Sequence, residues 1–87
     1  IAKPAKQLAQ VEAWLAKHGN DYELLLCLGR LCKRQSLWAK AQNYLERAHQ
    51  LQKTSEVYQE LAELMEIMGD KASALHYYRS SLTQVNK

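Results

Sequence analysis

A chain of 87 residues is long enough for one domain with one modest core, so its 47% apolar residues must be concentrated on a few faces. One proline and three glycines are too few for the many tight turns of an all-β domain, which leaves an all-α fold. The net charge of +3 is split: residues 1–54 hold nine Lys/Arg against four Asp/Glu (+5), and residues 55–87 hold three against five (−2), unlike the continuous basic face of a nucleic-acid binder.

The first expected element is a helix over about 4–17. Pro4 suits its first turn and Gly19 its end. Asn20 or Asp21 can cap a second helix over about 21–34, with Glu23 in its first turn. Gln35 and Ser36 form a turn, and Ser36 can cap a third helix over about 37–51. Thr54 or Ser55 caps a fourth helix that reaches about Met68. Gly69 suits a left-handed stop there, and Asp70 caps a fifth helix to about Val85.

Shifted by 33 residues, the chain matches itself. Leu25, Leu28, Gly29 and Cys32 fall on Tyr58, Leu61, Ala62 and Met65, while Ala41, Leu45 and Ala48 fall on Ala74, Tyr78 and Ser81. Large positions stay large and small ones stay small. The chain therefore reads as a single domain over 1–87, with a leading helix over 1–19, one helical hairpin over 21–53 and a second over 54–87. The leading helix stands where the second helix of an earlier, truncated repeat would stand, although it matches Ala41, Leu45 and Ala48 poorly. Gly29 and Ala62 on the first helices, and Ala41 and Ala74 on the second, let paired helix axes approach closely, and the bulky Leu45 and Tyr78 fill the space between layers.

These positions resemble the tetratricopeptide repeat, whose pattern joins Leu-Gly, an Ala–aromatic–Ala series and a final Pro. The first unit offers Leu25, Leu28-Gly29, Cys32, Ala41, Leu45 and Ala48, and the second Tyr58, Leu61-Ala62, Met65, Ala74, Tyr78 and Ser81. Neither unit has the final Pro, and the period is one residue short of the usual 34. The resemblance implies a right-handed solenoid of antiparallel hairpins, five helices in all. The run from Leu25 to Cys32, then Leu37 to Ala41 and Tyr44-Leu45-Glu46, is also similar to the C-terminal repeats of the proteobacterial HemY proteins, as are Trp14-Leu15 and the stretch from His18 to Asp21. That likeness implies a parent protein at the bacterial inner membrane, associated with late haem (porphyrin) biosynthesis. Its repeats would face partner proteins such as haem-pathway enzymes, and the free cysteines together with that pathway favour the cytoplasmic side. The start at Ile1 and the end in mid-pattern point to a piece of a longer protein.

In a repeat solenoid the first helix of each hairpin lines the concave side, the usual binding face. The expected partner-binding residues are Glu23, Leu26, Arg30, Lys33 and Arg34 in the first unit and Glu56, Gln59, Glu63, Glu66 and Ile67 in the second. Two readings of their charges stand side by side. The groove is bipolar and orients a peptide of mixed charge, or Arg30 pairs with Glu63 and Lys33 with Glu66 across neighbouring helices. On the second reading Arg34 matters most, because its equivalent is Ile67. A carboxylate clamp is rejected, since Leu26, Gln59, Cys27 and Glu60 stand where its basic and amide residues belong. Leu75, Leu82 and Val85 form a second candidate surface, for self-association into a homodimer or for a following repeat.

A protein-interaction scaffold, not an enzyme, is the leading function. No phosphate loop, triad or metal-ligand spacing is present, and Ser36, Ser55 and Ser73 read as helix-start residues. No cofactor or metal is expected. A haem or porphyrin carrier, with His49 or His76 as ligand, is the alternative; His18 reads as a helix-end cation. Cys27 and Cys32, about 140° apart on a helix, read as reduced core thiols. No stretch is apolar enough to span a membrane, so no direct membrane contact is expected of this piece. Trp14 and Trp38 read as covers over the first interface and the first hairpin.

Overall fold

Five α-helices arise where the punctuation of the sequence puts them: α1 (Pro4–His18), α2 (Tyr22–Arg34), α3 (Trp38–Leu51), α4 (Ser55–Met68) and α5 (Lys71–Val85). The computed structural model describes residues 4–19 and 21–85. Asn20 and the side chains of Pro4, His18 and Val85, all named above, lie outside the described residues. Asp21 is the cap of α2, its carboxylate accepting from the Leu24 amide at 3.1 Å. Thr54 Oγ1 accepts from the Val57 amide at 3.2 Å to start α4, and Asp70 does the same for the Ser73 amide at 3.1 Å to start α5.

The two hairpin turns share one backbone design. After α4, Gly69 turns left-handed at φ 86°, its amide bonding the Glu66 carbonyl while the Asp70 amide bonds that of Met65. After α2, Ser36 takes the same role at φ 61°, its amide bonding Lys33 and the Leu37 amide bonding Cys32. Ser36 is therefore not the cap of α3; that position belongs to Leu37, which offers no side-chain acceptor. A seryl hydroxyl next to a helix start signals a cap in sequence, but here the chain needed a left-handed residue and none of the glycines stands there.

Packing follows the repeat. α2 lies against α3 and α4 against α5; α3 joins the hairpins, and α1 covers α2. Leu25, Leu28, Cys32, Leu45, Val57, Leu61 and Leu64 are wholly buried. The close approach expected at Gly29 is real: a Cβ there would stand 2.4 Å from Leu45 Cδ2 and 2.5 Å from its Cγ. In the second hairpin Ala62 and Ala74 are buried, and Ser81 is satisfied by donating to the Ser55 carbonyl at 3.4 Å. The domain measures 36 × 26 × 20 Å with a radius of gyration of 13.1 Å. That is somewhat longer than the about 12 Å expected of a compact chain of this size.

Two expectations change here. Trp14 is 57% exposed, so the α1–α2 joint is sealed instead by Leu8, Val11 and Leu15. Trp38 does pack against the core. Cys27 is exposed and only Cys32 is a core thiol, with burial pushing its pKa up. Among the described residues no helix is long and apolar enough to cross a membrane.

Candidate functional site

α2 and α4 run side by side and in the same direction. The Tyr22 hydroxyl at the start of α2 shares a hydrogen bond with Thr54 at the start of α4. Farther along, Arg30 pairs with Glu56 at 3.3 Å and Glu60 at 2.8 Å, and Lys33 with Glu60 at 2.5 Å and Glu63 at 2.8 Å. Partners advance together along both helices, which only a parallel pair allows. The result is an alternating line, Glu56–Arg30–Glu60–Lys33–Glu63.

This line decides between the two readings of the groove. Opposite charges meet across neighbouring helices, but one turn earlier than the 33-residue shift suggested: Lys33 reaches Glu60 and Glu63, and Glu66 instead accepts from the Tyr78 hydroxyl at 2.5 Å. Glu60 is the hub, and the concave stripe drawn from the sequence omitted it. Its periodicity put Glu60 at the flank of α4, where only the distance to α2 determines what it meets. Burial pushes Glu60 up, but the hydrogen bonds from Lys33 and Arg30 outweigh it and hold the carboxyl below its ordinary value. For Arg30, the hydrogen bond to Glu60 raises the guanidinium further. Lys33 is lowered by burial and raised more strongly by Glu60 and Glu63, ending above the ordinary lysine value. The Tyr78 hydroxyl, bonded to Glu66, is pushed up to about 12.

Four of the predicted residues border a recess, and two stand apart on α4. Glu23, Leu26, Arg30 and Arg34 border one recess of about 300 Å³ on α2, together with Cys27 and Leu31. Leu26 is only 2% exposed, so it serves as floor, not as a projecting contact. Glu23 and Arg34 are exposed at the recess ends and have no partner among the described residues. Gln59 and Ile67 lie exposed on α4 and join neither the recess nor the ion-paired line.

On the outer row, Glu12 of α1 accepts from the Tyr44 hydroxyl at 2.6 Å and pairs with Lys40 at 3.3 Å. Burial and Glu12 together push Tyr44 up to about 12. The shift places Glu12 on Leu45 and Tyr78, and this mismatch is the signal in the sequence that α1 differs from α3 and α5. On α5, Leu75 and Leu82 are 52% and 65% exposed. His49 packs edge-on to Tyr58 at 5.0 Å, and its burial lowers its pKa; His76 lies exposed beside Tyr77. Among the described residues no three His, Cys, Asp or Glu side chains gather as a metal site.

The arrangement offers a two-helix face whose charges are largely neutralised within it, with a small bipolar recess at one edge. Comparison with family models, with curated proteins and with solved structures found no match to this chain.

Proposed function

We propose that this chain is a protein-interaction module, in which the face formed by α2 and α4 holds a partner polypeptide. The observation that carries the reading is the parallel, ion-paired α2–α4 row. It presents one continuous surface from two stacked hairpins, as helical-repeat binding modules do. Gln59 and the half-exposed Ile67 are uncommitted α4 side chains beside it. Its role is to bind and position, not to catalyse.

The finer reading takes the hairpins as tetratricopeptide units in a right-handed solenoid. It is supported by Leu28-Gly29, Ala41, Leu45 and Ala48, which recur as Leu61-Ala62, Ala74, Tyr78 and Ser81, and by the close approach of α2 and α3 at Gly29. The similarity of Leu25 to Cys32 and of Leu37 to Glu46 to HemY repeats supports an inner-membrane parent linked to haem biosynthesis, with pathway enzymes as partners.

The test is site-specific photo-crosslinking in bacterial cells carrying the HemY-type pathway, with the probe at Gln59, at Ile67 or, on the outer row, at Asn43. Capture of the same protein from Gln59 and Ile67 but not from Asn43 is expected. Equal capture from all three positions would reject the α2–α4 face.

A further inference from the structure

We propose that the α2 recess is a self-pairing surface, on which a second copy of this chain lays its own α2 antiparallel across a two-fold axis. The inference goes beyond the module's hold on a different protein, although it rests on the same reading of α2 and α4 as an interaction row.

The argument begins with what covers the equivalent place one repeat later. The shift of 33 residues carries Leu31 onto Leu64 and Cys27 onto Glu60. Leu64 is 0% exposed, and Glu60 is engaged by two cations from α2. Leu31 is only partly buried and Cys27 is exposed. The face that α4 buries against α2 is thus the face that α2 leaves open.

The charges then select the occupant. Along the recess, Glu23 stands at one end and Arg34 at the other, eleven residues or about 16 Å apart. Between them lie Leu26, Cys27 and Leu31, with an Arg30 whose charge is already met by Glu56 and Glu60. A helix that complements this face needs a base opposite Glu23, apolar groups in the middle and an acid opposite Arg34.

α2 itself meets that need when reversed. A two-fold axis through its midpoint sets Glu23 against Arg34 of the other copy, and Leu26 against its Leu31, at both ends alike. The interface is therefore isologous, each contact occurring twice, with Cys27 of each copy against the other's Arg30, whose charge is met by Glu56 and Glu60. No other described helix fits as well. α4 carries acidic residues only, α5 bases only, and on α3 the base Lys40 and the exposed acid Glu46 are fewer than two turns apart. Glu12 of α1 is already engaged by Tyr44 and Lys40. The exposed Leu75 and Leu82 of α5 have no acid on their own helix to complement Lys71 and Arg79. The recess is small, so the dimer is of the weak, concentration-dependent kind.

The experiment is sedimentation of the 87-residue chain up to about 1 mM protein, with Glu23→Arg, Arg34→Glu and the double swap. Circular dichroism checks that each variant remains helical. Both positions are exposed, so folding should persist. The parent should dimerise. Each single swap sets like charges together twice and should weaken the dimer at least ten-fold. The double swap should restore it, and the two single variants mixed should form a heterodimer that neither forms alone. A parent that stays monomeric throughout overturns the proposal. So does a dimer indifferent to the swaps, or one dissolved by Leu82→Asp. Photo-crosslinking from Gln59 and Ile67 reports separately, so the dimer can fail while the binding face stands.

Discussion

The two hairpins follow one plan and meet its demands with different residues. In the first, Gly29 gives Leu45 room against the α2 backbone; in the second, a buried Ala62 stands at the place of Gly29, and Tyr78, at the place of Leu45, sends its hydroxyl out to Glu66. In the first, the turn is made by a strained Ser36 and an uncapped Leu37; in the second, by Gly69 and Asp70. The first hairpin thus has a joint with no room for a further atom at Gly29, and the poorer turn. A repeat fixes where backbone and bulk must go, and leaves open which end of each hairpin is held better.

The sharpest way to break the comparison is to exchange the small residues. Gly29→Ala gains about 1 kcal/mol of helix propensity, but it drives a Cβ into a fully buried Leu45. Overpacking of that kind costs up to about 3 kcal/mol, so a net loss of about 2 kcal/mol is expected in urea denaturation. Adding Leu45→Val should recover part of it. Ala62→Gly, by contrast, should lose about 1 kcal/mol, with no clash to relieve.

The seam between the hairpins comes next. Glu60→Gln leaves the largely buried Lys33 short of a carboxylate and should cost about 1–2 kcal/mol. The pH dependence has a definite sign. Glu60 is depressed when folded, so its stabilisation is complete above the ordinary carboxylate value of 4.5 and is lost as pH falls through the lower folded value. Lys33 is raised, so its contribution is complete below 10.5 and is lost as pH rises through the higher folded value. Melting temperature measured across pH should show both shoulders in the parent and flatter ones in Glu60→Gln.

Smaller effects should come from the turns. Ser36→Gly relieves a left-handed seryl backbone and should stabilise by about 1 kcal/mol, whereas Gly69→Ser should destabilise by a similar amount. Smallest is the cap. Leu37→Asp should raise the thermal midpoint slightly by supplying the acceptor that α3 lacks, and Asp70→Ala should lower it slightly. If either hairpin responds like the other in these pairs, the two are less distinct than their residues indicate.

The helices were legible in the sequence because their signals are local. Asp21, Thr54, Gly69 and Asp70 act within a turn of where they stand, and Gly29 announced a close helix approach through the repeat. Ser36 was misread for the same reason: locally, serine before a helix is a cap. The repeat held the correction, since the shift that equates Gly29 with Ala62 also equates Ser36 with Gly69. The site was less legible. Whether Leu26 is a contact or a floor, and whether Glu60 or Glu66 meets Lys33, depends on how far apart two helices settle, and side-chain spacing along one helix carries no measure of that. Glu12 was visible only as a misfit in the repeat.

The alternating line between α2 and α4 has a mechanical consequence. Along Glu56–Arg30–Glu60–Lys33–Glu63, a small slide of one helix past the other lengthens some contacts as it shortens others, because the three inner charges each have an opposite on both sides. Pulling the helices apart lengthens all of them at once. The ion pairs of the seam therefore oppose separation more than sliding, while the Gly29–Leu45 joint leaves no room for a further atom.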